Sequence, residues 1–159
     1  MPGLEDLYRE IILDHYRNPR NRGELPSPPA QRVEGFNPLC GDEIVVYLLV
    51  DGDQVNDVKI TGQGCSISQS SASMMSAAVK GKTVAEARQL IRAFKAMMSI
   101  HESRLDGEDG EATAPDPEVK LGDLEALQGV VKFPVRIKCA TLSWNTLQQG
   151  LDEAAEAAV

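Results

Sequence analysis

The feature that most constrains the fold is one continuous stretch, "DEIVVYLLVDGDQVNDVKITGQG", which spans residues 42 to 64. It contains two runs rich in β-forming residues that are joined through Asp51-Gly52, a dipeptide typical of tight β-turns. Apolar and polar residues alternate around Val58 and Ile60, as expected of a strand with one buried face. The stretch therefore predicts a β-hairpin, and the fold must cover one face of it.

Helical patterns lie on both sides of this hairpin. Before it, "LEDLYREIILDHYRNPRN" has apolar residues at helical spacing and ends at Asn18-Pro19. After it, helices are predicted from about Ser66 to Lys80, from a capping box in "TVAE" onward, within "LGDLEALQG", and from Pro134 onward. A further short strand is predicted near Arg32. The sum is an α+β fold.

The chain has 159 residues, a length that suits one domain, and only 4% of them are aromatic. We therefore expect a single domain over residues 1–159 with an aliphatic, methionine-rich core. Residues 102 to 118, "ESRLDGEDGEATAPDPE", hold several acids and few large apolar groups, and are interpreted as a mobile insertion. His15 and His101 are expected in surface or half-buried positions, whereas Met74, Met75 and Trp144 are expected in the core.

The net charge of −8 comes from the acidic stretch and the C-terminal tail, so it does not indicate a partner for the rest of the chain. Arginines cluster near the N-terminus, but few aromatic residues accompany them, and nucleic acid is not expected as a partner. The longest apolar run, "IVVYLLV", is too short to span a membrane, and the N-terminus lacks a signal pattern. These features predict a cytoplasmic protein without a membrane association.

Three cysteines occur, Cys40 in "NPLCGDE", Cys65 in "GQGCSIS" and Cys139 in "RIKCATLSW". Cys40 precedes the hairpin, Cys65 follows it at the start of a helix, and Cys139 lies in the opening turns of the last helix. Helix N-termini favour thiolate over thiol, because their free N–H groups and dipole stabilise negative charge. An odd number of cysteines without a close pair is a poor disulfide pattern. Metal ligands, reactive thiols and buried small hydrophobes all remain possible.

Three thiolates leave a tetrahedral metal ion one ligand short. Asp42, two residues after Cys40, could supply a carboxylate oxygen and complete a Cys₃Asp set that suits Zn²⁺. Glycines at positions 41, 62 and 64 lack a Cβ and would let the backbone approach a bound ion closely. The chain has no CxxC pair, however, so spacing alone does not decide between a zinc site and buried thiols.

Five segments add a resemblance that covers nearly the whole chain: "LYREIILDHYRNPRNRG", "NPLCGDEI", "GQGCSISQSSASMM", "LGDLEALQGV" and "FPVRIKCATLSW". Their order and spacing resemble those of the U-type iron-sulfur cluster assembly proteins, which include IscU scaffolds, the N-terminal domain of NifU and SufU sulfur acceptors. The resemblance implies a small antiparallel β-sheet packed against several helices, with the cysteines converging at one end. It also implies Cys40, Asp42, Cys65 and Cys139 as the metal ligands.

Two details resemble the SufU branch. Lys138 precedes Cys139 where IscU scaffolds carry a histidine, and "FPVRIK" stands in place of their chaperone-binding Leu-Pro-Pro-Val-Lys stretch. The resemblance thus implies a zinc-dependent, sulfurtransferase-type acceptor of persulfide sulfur that works with a SufS-type cysteine desulfurase. Cys40 is our candidate for the receiving thiol because its segment is not helical, and Arg136, one turn before Cys139, is a candidate to steer anionic sulfur.

Two alternatives remain open. The same four residues could hold a [2Fe-2S] or [4Fe-4S] cluster, which would make the chain a scaffold that assembles a cluster and transfers it. Other iron-sulfur assembly proteins are further candidate partners. A purely structural zinc or interaction domain is the third hypothesis. Structural sites usually have four Cys or His ligands, so a carboxylate in the set favours the sulfur acceptor and the cluster scaffold over a structural domain.

Overall fold

The structure is a computed structural model that describes residues 2–26, 30–38, 41–105, 124, 126–127 and 134–157. Its elements in chain order are α1 (Pro2–Arg17), β1 (Gln31–Asn37), β2 (Asp42–Asp51), β3 (Gln54–Gln63), α2 (Ser66–Val79), α3 (Val84–Leu105) and α4 (Pro134–Ala157). The strands form one antiparallel sheet in the order β1-β2-β3. The predicted α+β fold, with a small antiparallel sheet packed against helices, is confirmed.

The predicted hairpin is formed by β2 and β3. Strand β2 ends at Asp51 and β3 begins at Gln54, so the turn consists of Gly52 and Asp53. Gly52 has φ +64, a left-handed conformation that a glycine adopts without a steric penalty. The sequence signal at Asp51-Gly52 therefore located the turn correctly.

One face of the sheet points into the core and leads toward the candidate site. Along that face β1 and β2 are paired as Val33↔Val46, Gly35↔Ile44 and Asn37↔Asp42. Gly35 is needed where α4 crosses β1, since a Cβ at this position would overlap the hydroxyl of Thr146. The row is apolar except for its last pair, so two polar side chains are buried at the end of the sheet next to α4.

The core is aliphatic and methionine-rich, as predicted. Met74 and Met75 of α2 and Met97 and Met98 of α3 are all buried. Trp144 is fully buried and stacks on Phe94 with 4.6 Å between the ring centroids. Its indole Nε1–H donates to Ser71 Oγ (3.1 Å), and Ser71 Oγ–H donates to the Ala140 carbonyl (2.6 Å). One hydroxyl therefore joins α2 to α4.

The expectation for His15 was wrong, because this side chain is buried with 3% of its surface exposed. Its Nδ1 lies 2.8 Å from Ser73 Oγ of α2. The spacing of α1 explains the burial: His15 follows Ile11 by four residues and Ile12 by three, so it shares their inward face. A polar residue on an apolar stripe was mistaken for a surface residue.

Helix α3 extends to Leu105, so the first four residues of the predicted insertion are helical. Residues 106–118 lie outside the described residues, and the mobility of the insertion stays a prediction. From the "LGDLEALQG" segment, Leu124, Ala126 and Leu127 are described, and all three are buried in a 3₁₀ turn. Within the described ranges, none of the helices combines the length and the apolar character needed to cross a membrane.

Removing the Ser71 hydroxyl is expected to destabilise the fold by about 1–3 kcal/mol, because Ser71→Ala leaves a buried indole N–H without its acceptor. Ser70→Ala is the matched control. Ser70 is equally buried, but among the described residues its hydroxyl donates only to the Ile67 carbonyl of its own helix (3.2 Å). Urea denaturation of both variants measures the difference, and an equal loss of stability in the two would contradict this account.

Candidate metal centre

Asp42, the first residue of β2, is fully buried and accepts hydrogen bonds on both carboxylate oxygens. The backbone N–H of Cys65 donates to Oδ1 (3.0 Å), and so does the hydroxyl of Ser68 (3.2 Å). The amide Nδ2 of Asn37 donates to Oδ2 (3.3 Å). The carboxylate is thus held by the end of β1 and the start of α2.

These hydrogen bonds keep Asp42 charged. Burial raises the pKa of the Asp42 carboxyl, but hydrogen bonds from the Cys65 N–H and from the side chains of Cys139, Ser68 and Asn37 outweigh it. The pKa therefore lies below its ordinary value. Asp42 is consequently an anion at neutral pH and offers a negative oxygen ligand without a preceding proton loss.

Cys65 is the N-cap of α2, which confirms its predicted position at a joint between loop and helix. Its sulfur accepts a hydrogen bond from the backbone N–H of Ser68 (3.4 Å), in the way that a Ser or Asp oxygen does at most helix starts. Its carbonyl accepts from Gln69 N–H (3.0 Å) and so begins the helical ladder. The capping contact fixes where the sulfur points, and the side chain is half-buried.

Cys139 lies in the opening turns of α4, as predicted, but it is not next to the free N–H groups of the helix start. It lies in α4 five residues after Pro134, beyond the four N–H groups that a helix leaves free at its start. The stabilisation expected from free helix amides therefore does not apply to it. Cys139 is fully buried, and Asn37 Nδ2 lies 3.7 Å from its sulfur. The polar N–H group next to the Cys139 sulfur is therefore the Asn37 side-chain amide and not a free backbone amide of the helix.

Three predicted ligands converge. One carboxylate oxygen of Asp42 and the sulfurs of Cys65 and Cys139 all lie within 4.8 Å of one another. Ligands at about 2.0–2.3 Å from a tetrahedral zinc ion are roughly 3–4 Å apart, so small side-chain adjustments would bring these three atoms onto one ion. A carboxylate oxygen and two cysteine sulfurs are ligand types that Zn²⁺ binds in proteins. Cys40, the fourth predicted ligand, lies outside the described residues.

The glycine at position 64 has a steric role here. A Cβ on Gly64 would come within 2.5 Å of both Asp42 Oδ1 and Ser68 Oγ. It would therefore push apart the hydroxyl and the carboxylate that form the inner wall of the centre. The absence of a Cβ at this position is thus needed for the close approach of the backbone to the Asp42 carboxylate, whereas the predicted approach of the backbone to a bound ion stays a prediction.

Arg136 lies beside the two thiols. Its electrostatic interaction with Cys65 is the largest influence that raises the pKa of Arg136, followed by a hydrogen bond to Cys65 and the electrostatic interaction with Cys139. The side chain is exposed to solvent. A permanent cation therefore stands on the open side of the centre, next to the positions that an anionic sulfur group would reach.

Asn37 and Ser68 were not among the residues predicted from the sequence. Ser68 follows Cys65 by three residues, which is the spacing of a capping pair, and this signal could have placed it near the sulfur. Asn37 had no such signal. Its role depends on the strand register that sets it opposite Asp42 and on the packing of α4, neither of which is local in sequence.

The chain matches a known protein family. Residues 7–140 match the family described as "NifU-like N terminal domain", a range that contains all four predicted ligands. The chain belongs to this family. It is 48% identical over 148 residues to a Bacillus subtilis protein named zinc-dependent sulfurtransferase SufU, covering 93% of this chain and 91% of that one.

Two further relatives carry scaffold names. A Streptococcus pyogenes protein named iron-sulfur cluster assembly scaffold protein IscU is 38% identical over 154 residues, covering 97% of this chain and 88% of that one. A crystal structure titled as a putative iron-sulfur cluster assembly scaffold protein for the SUF system, from Fervidobacterium islandicum, superposes with a TM-score of 0.72 at 34% identity, covering 89% of this chain and 94% of that one. The predicted family is confirmed.

Asn37→Ala is expected to weaken zinc binding by about 10- to 100-fold, because Asn37 donates to Asp42 and lies against the sulfur of Cys139. Competition with a chromophoric chelator measures the dissociation constant. Asn56→Ala, on the exposed part of β3, is the control and should bind zinc as the wild type does. An unchanged constant in Asn37→Ala would show that this amide does not orient the ligands.

Proposed function

We propose that the chain is an iron-sulfur cluster assembly protein that accepts persulfide sulfur from a SufS-type cysteine desulfurase, with Zn²⁺ held by Cys40, Asp42, Cys65 and Cys139. The observation that carries the proposal is the convergence of the Asp42 carboxylate with two thiols beside a cation. The name of the Bacillus subtilis relative, a zinc-dependent sulfurtransferase, supports it.

Cys40 enters the proposal through its sequence position. It is joined through Gly41 to Asp42, so a fully extended chain of these residues spans only about 7 Å from one Cα to the other. Gly41 has φ +69, a conformation in which a backbone changes direction sharply. Chain connectivity thus keeps Cys40 within reach of Asp42, and we propose that its sulfur completes a set of three sulfurs and one oxygen.

The chain's own residues prepare the centre for a metal ion. Asp42 is charged before any ion binds, and the cap on Cys65 and the amide of Asn37 hold the ligand atoms in place. Zn²⁺, when bound, keeps its thiolate ligands deprotonated and has no redox chemistry of its own. The centre is therefore suited to holding a reduced thiolate until a sulfur donor arrives.

The transfer step requires no net oxidation or reduction. The Cys40 thiolate attacks the terminal sulfur of the desulfurase persulfide, and a new sulfur–sulfur bond forms on Cys40. The sulfur–sulfur bond of the donor breaks, and its electron pair leaves with the donor cysteine as a thiolate. One persulfide and one thiolate are consumed and one of each is produced, so the step needs no co-reactant.

Arg136 is proposed to guide this exchange. Persulfides and thiolates are anions, and the Arg136 guanidinium already interacts with the sulfur of Cys65. Because the side chain is exposed, it can meet an incoming anionic group before that group reaches the buried Asp42 and Cys139. Its proposed role is electrostatic attraction and orientation of the donor persulfide next to Cys40.

A scaffold for a [2Fe-2S] or [4Fe-4S] cluster is the second candidate function. It is favoured by the Streptococcus pyogenes relative, whose name states this role. The same donors could hold a cluster, since thiolates are the usual ligands and other side chains can replace one of them. Metal analysis separates the two: about one zinc in colourless protein supports the acceptor, whereas brown protein with equal iron and sulfide supports the scaffold.

Cys40→Ser is expected to accept no sulfur while retaining part of the zinc, because Asp42, Cys65 and Cys139 remain. Cys65→Ser and Cys139→Ser are the matched comparisons and should chiefly lose zinc. Each variant is incubated with a SufS-type desulfurase, pyridoxal phosphate and L-cysteine. Peptide mass spectrometry then locates the added sulfur of 32 Da, which is expected on Cys40 in the wild type.

A persulfide on Cys139 with Cys40 unmodified would contradict the assignment of the acceptor. A wild-type chain that neither accepts sulfur nor accelerates the desulfurase, but binds one zinc, would instead support a structural zinc domain. The two outcomes are distinct, so the acceptor residue and the function are tested separately.

A further inference from the structure

An open recess of about 370 Å³ lies beside the candidate metal centre, between the end of β1 and the exposed side of α4. Its apolar lining includes Phe36, Pro38 and Leu142, and the charged Lys138 also lines it. None of these four residues belongs to the proposed ligand set. The recess is therefore a surface feature that the binding of zinc does not explain.

Phe36 is exposed to an unusual degree. The structure leaves 59% of its surface accessible, compared with 46% for Tyr16, the other large hydrophobic residue that is exposed in the described part of the chain. Covering an exposed aromatic ring with a partner lowers the free energy, because apolar surface is removed from water. Aromatic residues are enriched among the hot-spot residues of protein interfaces. Phe36 thus marks the recess as a surface that a partner could cover.

The recess also contains a cation. Lys138 lines it and is exposed on α4, and in the described ranges it forms no salt bridge with a carboxylate. Such a cation favours a partner segment that carries Asp or Glu and disfavours a basic one. The apolar lining together with this lysine fits an apolar side chain that is flanked by carboxylates.

The recess is continuous with the sulfur chemistry proposed above. Asn37 lines it and also donates hydrogen bonds to Asp42 and toward the sulfur of Cys139. Pro38, also in the lining, precedes Cys40 by two residues. A partner seated in the recess would therefore lie against the segment that carries the receiving thiol.

We propose that this recess is the docking site of the sulfur-donating cysteine desulfurase, which places in it an apolar side chain flanked by carboxylates. The proposal rests on the proposed function, because it identifies the partner by the reaction at the neighbouring centre. It assigns to Phe36 and Lys138 a role in recognition that is separate from metal binding and from the transfer of sulfur.

The test measures how the rate of a SufS-type desulfurase with L-cysteine depends on the concentration of this chain. Phe36→Ala is expected to raise the half-saturating concentration by about tenfold or more while the rate at saturation changes less than twofold. Lys138→Glu is expected to raise it as well, by a factor that shrinks as salt is added, because screening weakens interactions between exposed charges.

Matched controls separate docking from general effects. Tyr16→Ala removes an exposed aromatic ring from α1, and Arg92→Glu reverses an exposed charge on α3; neither helix lines the recess. Both controls should have the half-saturating concentration of the wild type. Zinc content and melting temperature are measured for every variant, and Phe36→Ala should match the wild type in both.

A wild type that saturates the desulfurase and a Phe36→Ala variant with the same half-saturating concentration would overturn the docking site and leave the proposed function intact. A wild type without any effect on the desulfurase would remove the proposed function and this proposal with it. A third outcome concerns self-association. If Phe36→Ala converts a dimer into a monomer at unchanged half-saturation, the recess is a contact between two copies and the docking proposal is wrong.

Discussion

Asp42 places a charged carboxylate in the interior of the protein, where an unpaired charge would cost several kcal/mol. The cost is offset by donors from three parts of the chain: the Cys65 backbone N–H and Ser68 hydroxyl at the start of α2, the Asn37 amide at the end of β1, and the Cys139 thiol on α4. These donors can meet only if the strands keep their register and both helices pack against the end of the sheet. The charged carboxylate therefore depends on the correct fold around it. A bound metal ion would take over part of the stabilisation of this charge from the hydrogen-bond donors.

The same arrangement gives the centre a mixed character. A buried row of apolar pairs between β1 and β2 leads up to it, and Asn37 and Ser68 donate hydrogen bonds to Asp42 and to the cysteine sulfurs. Arg136 and Lys138 are exposed on α4, and Lys138 lines the recess that contains Phe36. A site made only to stabilise a small fold is usually closed and rich in Cys or His ligands. Here the inner side is buried and hydrogen-bonded, whereas the outer side carries an exposed arginine and lysine. That asymmetry suits a centre whose thiol must be reached by a partner.

Sequence patterns were sufficient where the governing interactions are local. The hairpin at Asp51-Gly52, the capping box of Thr83 and Glu86, and the N-cap position of Cys65 depend on residues a few positions apart, and all three are present. Convergence of the cysteines was implied only by family resemblance, since no local pattern brings Cys65 to Cys139. The contribution of Asn37 and the burial of His15 against Ser73 escaped prediction because both arise from packing between distant segments. Cys139 lies in the opening turns of α4, as predicted, but one turn precedes it, so the free N–H groups at the helix start do not reach its sulfur.

The central claim is that one zinc ion is held by three cysteine sulfurs and the oxygen of Asp42. X-ray absorption spectroscopy at the zinc edge of the purified protein tests it most directly, because it counts sulfur and oxygen neighbours without any partner. The account predicts three sulfurs at about 2.3 Å and one oxygen at about 2.0 Å. A shell of oxygen and nitrogen alone would contradict it, as would four sulfurs, which this chain with three cysteines could provide only by sharing the ion with a second copy.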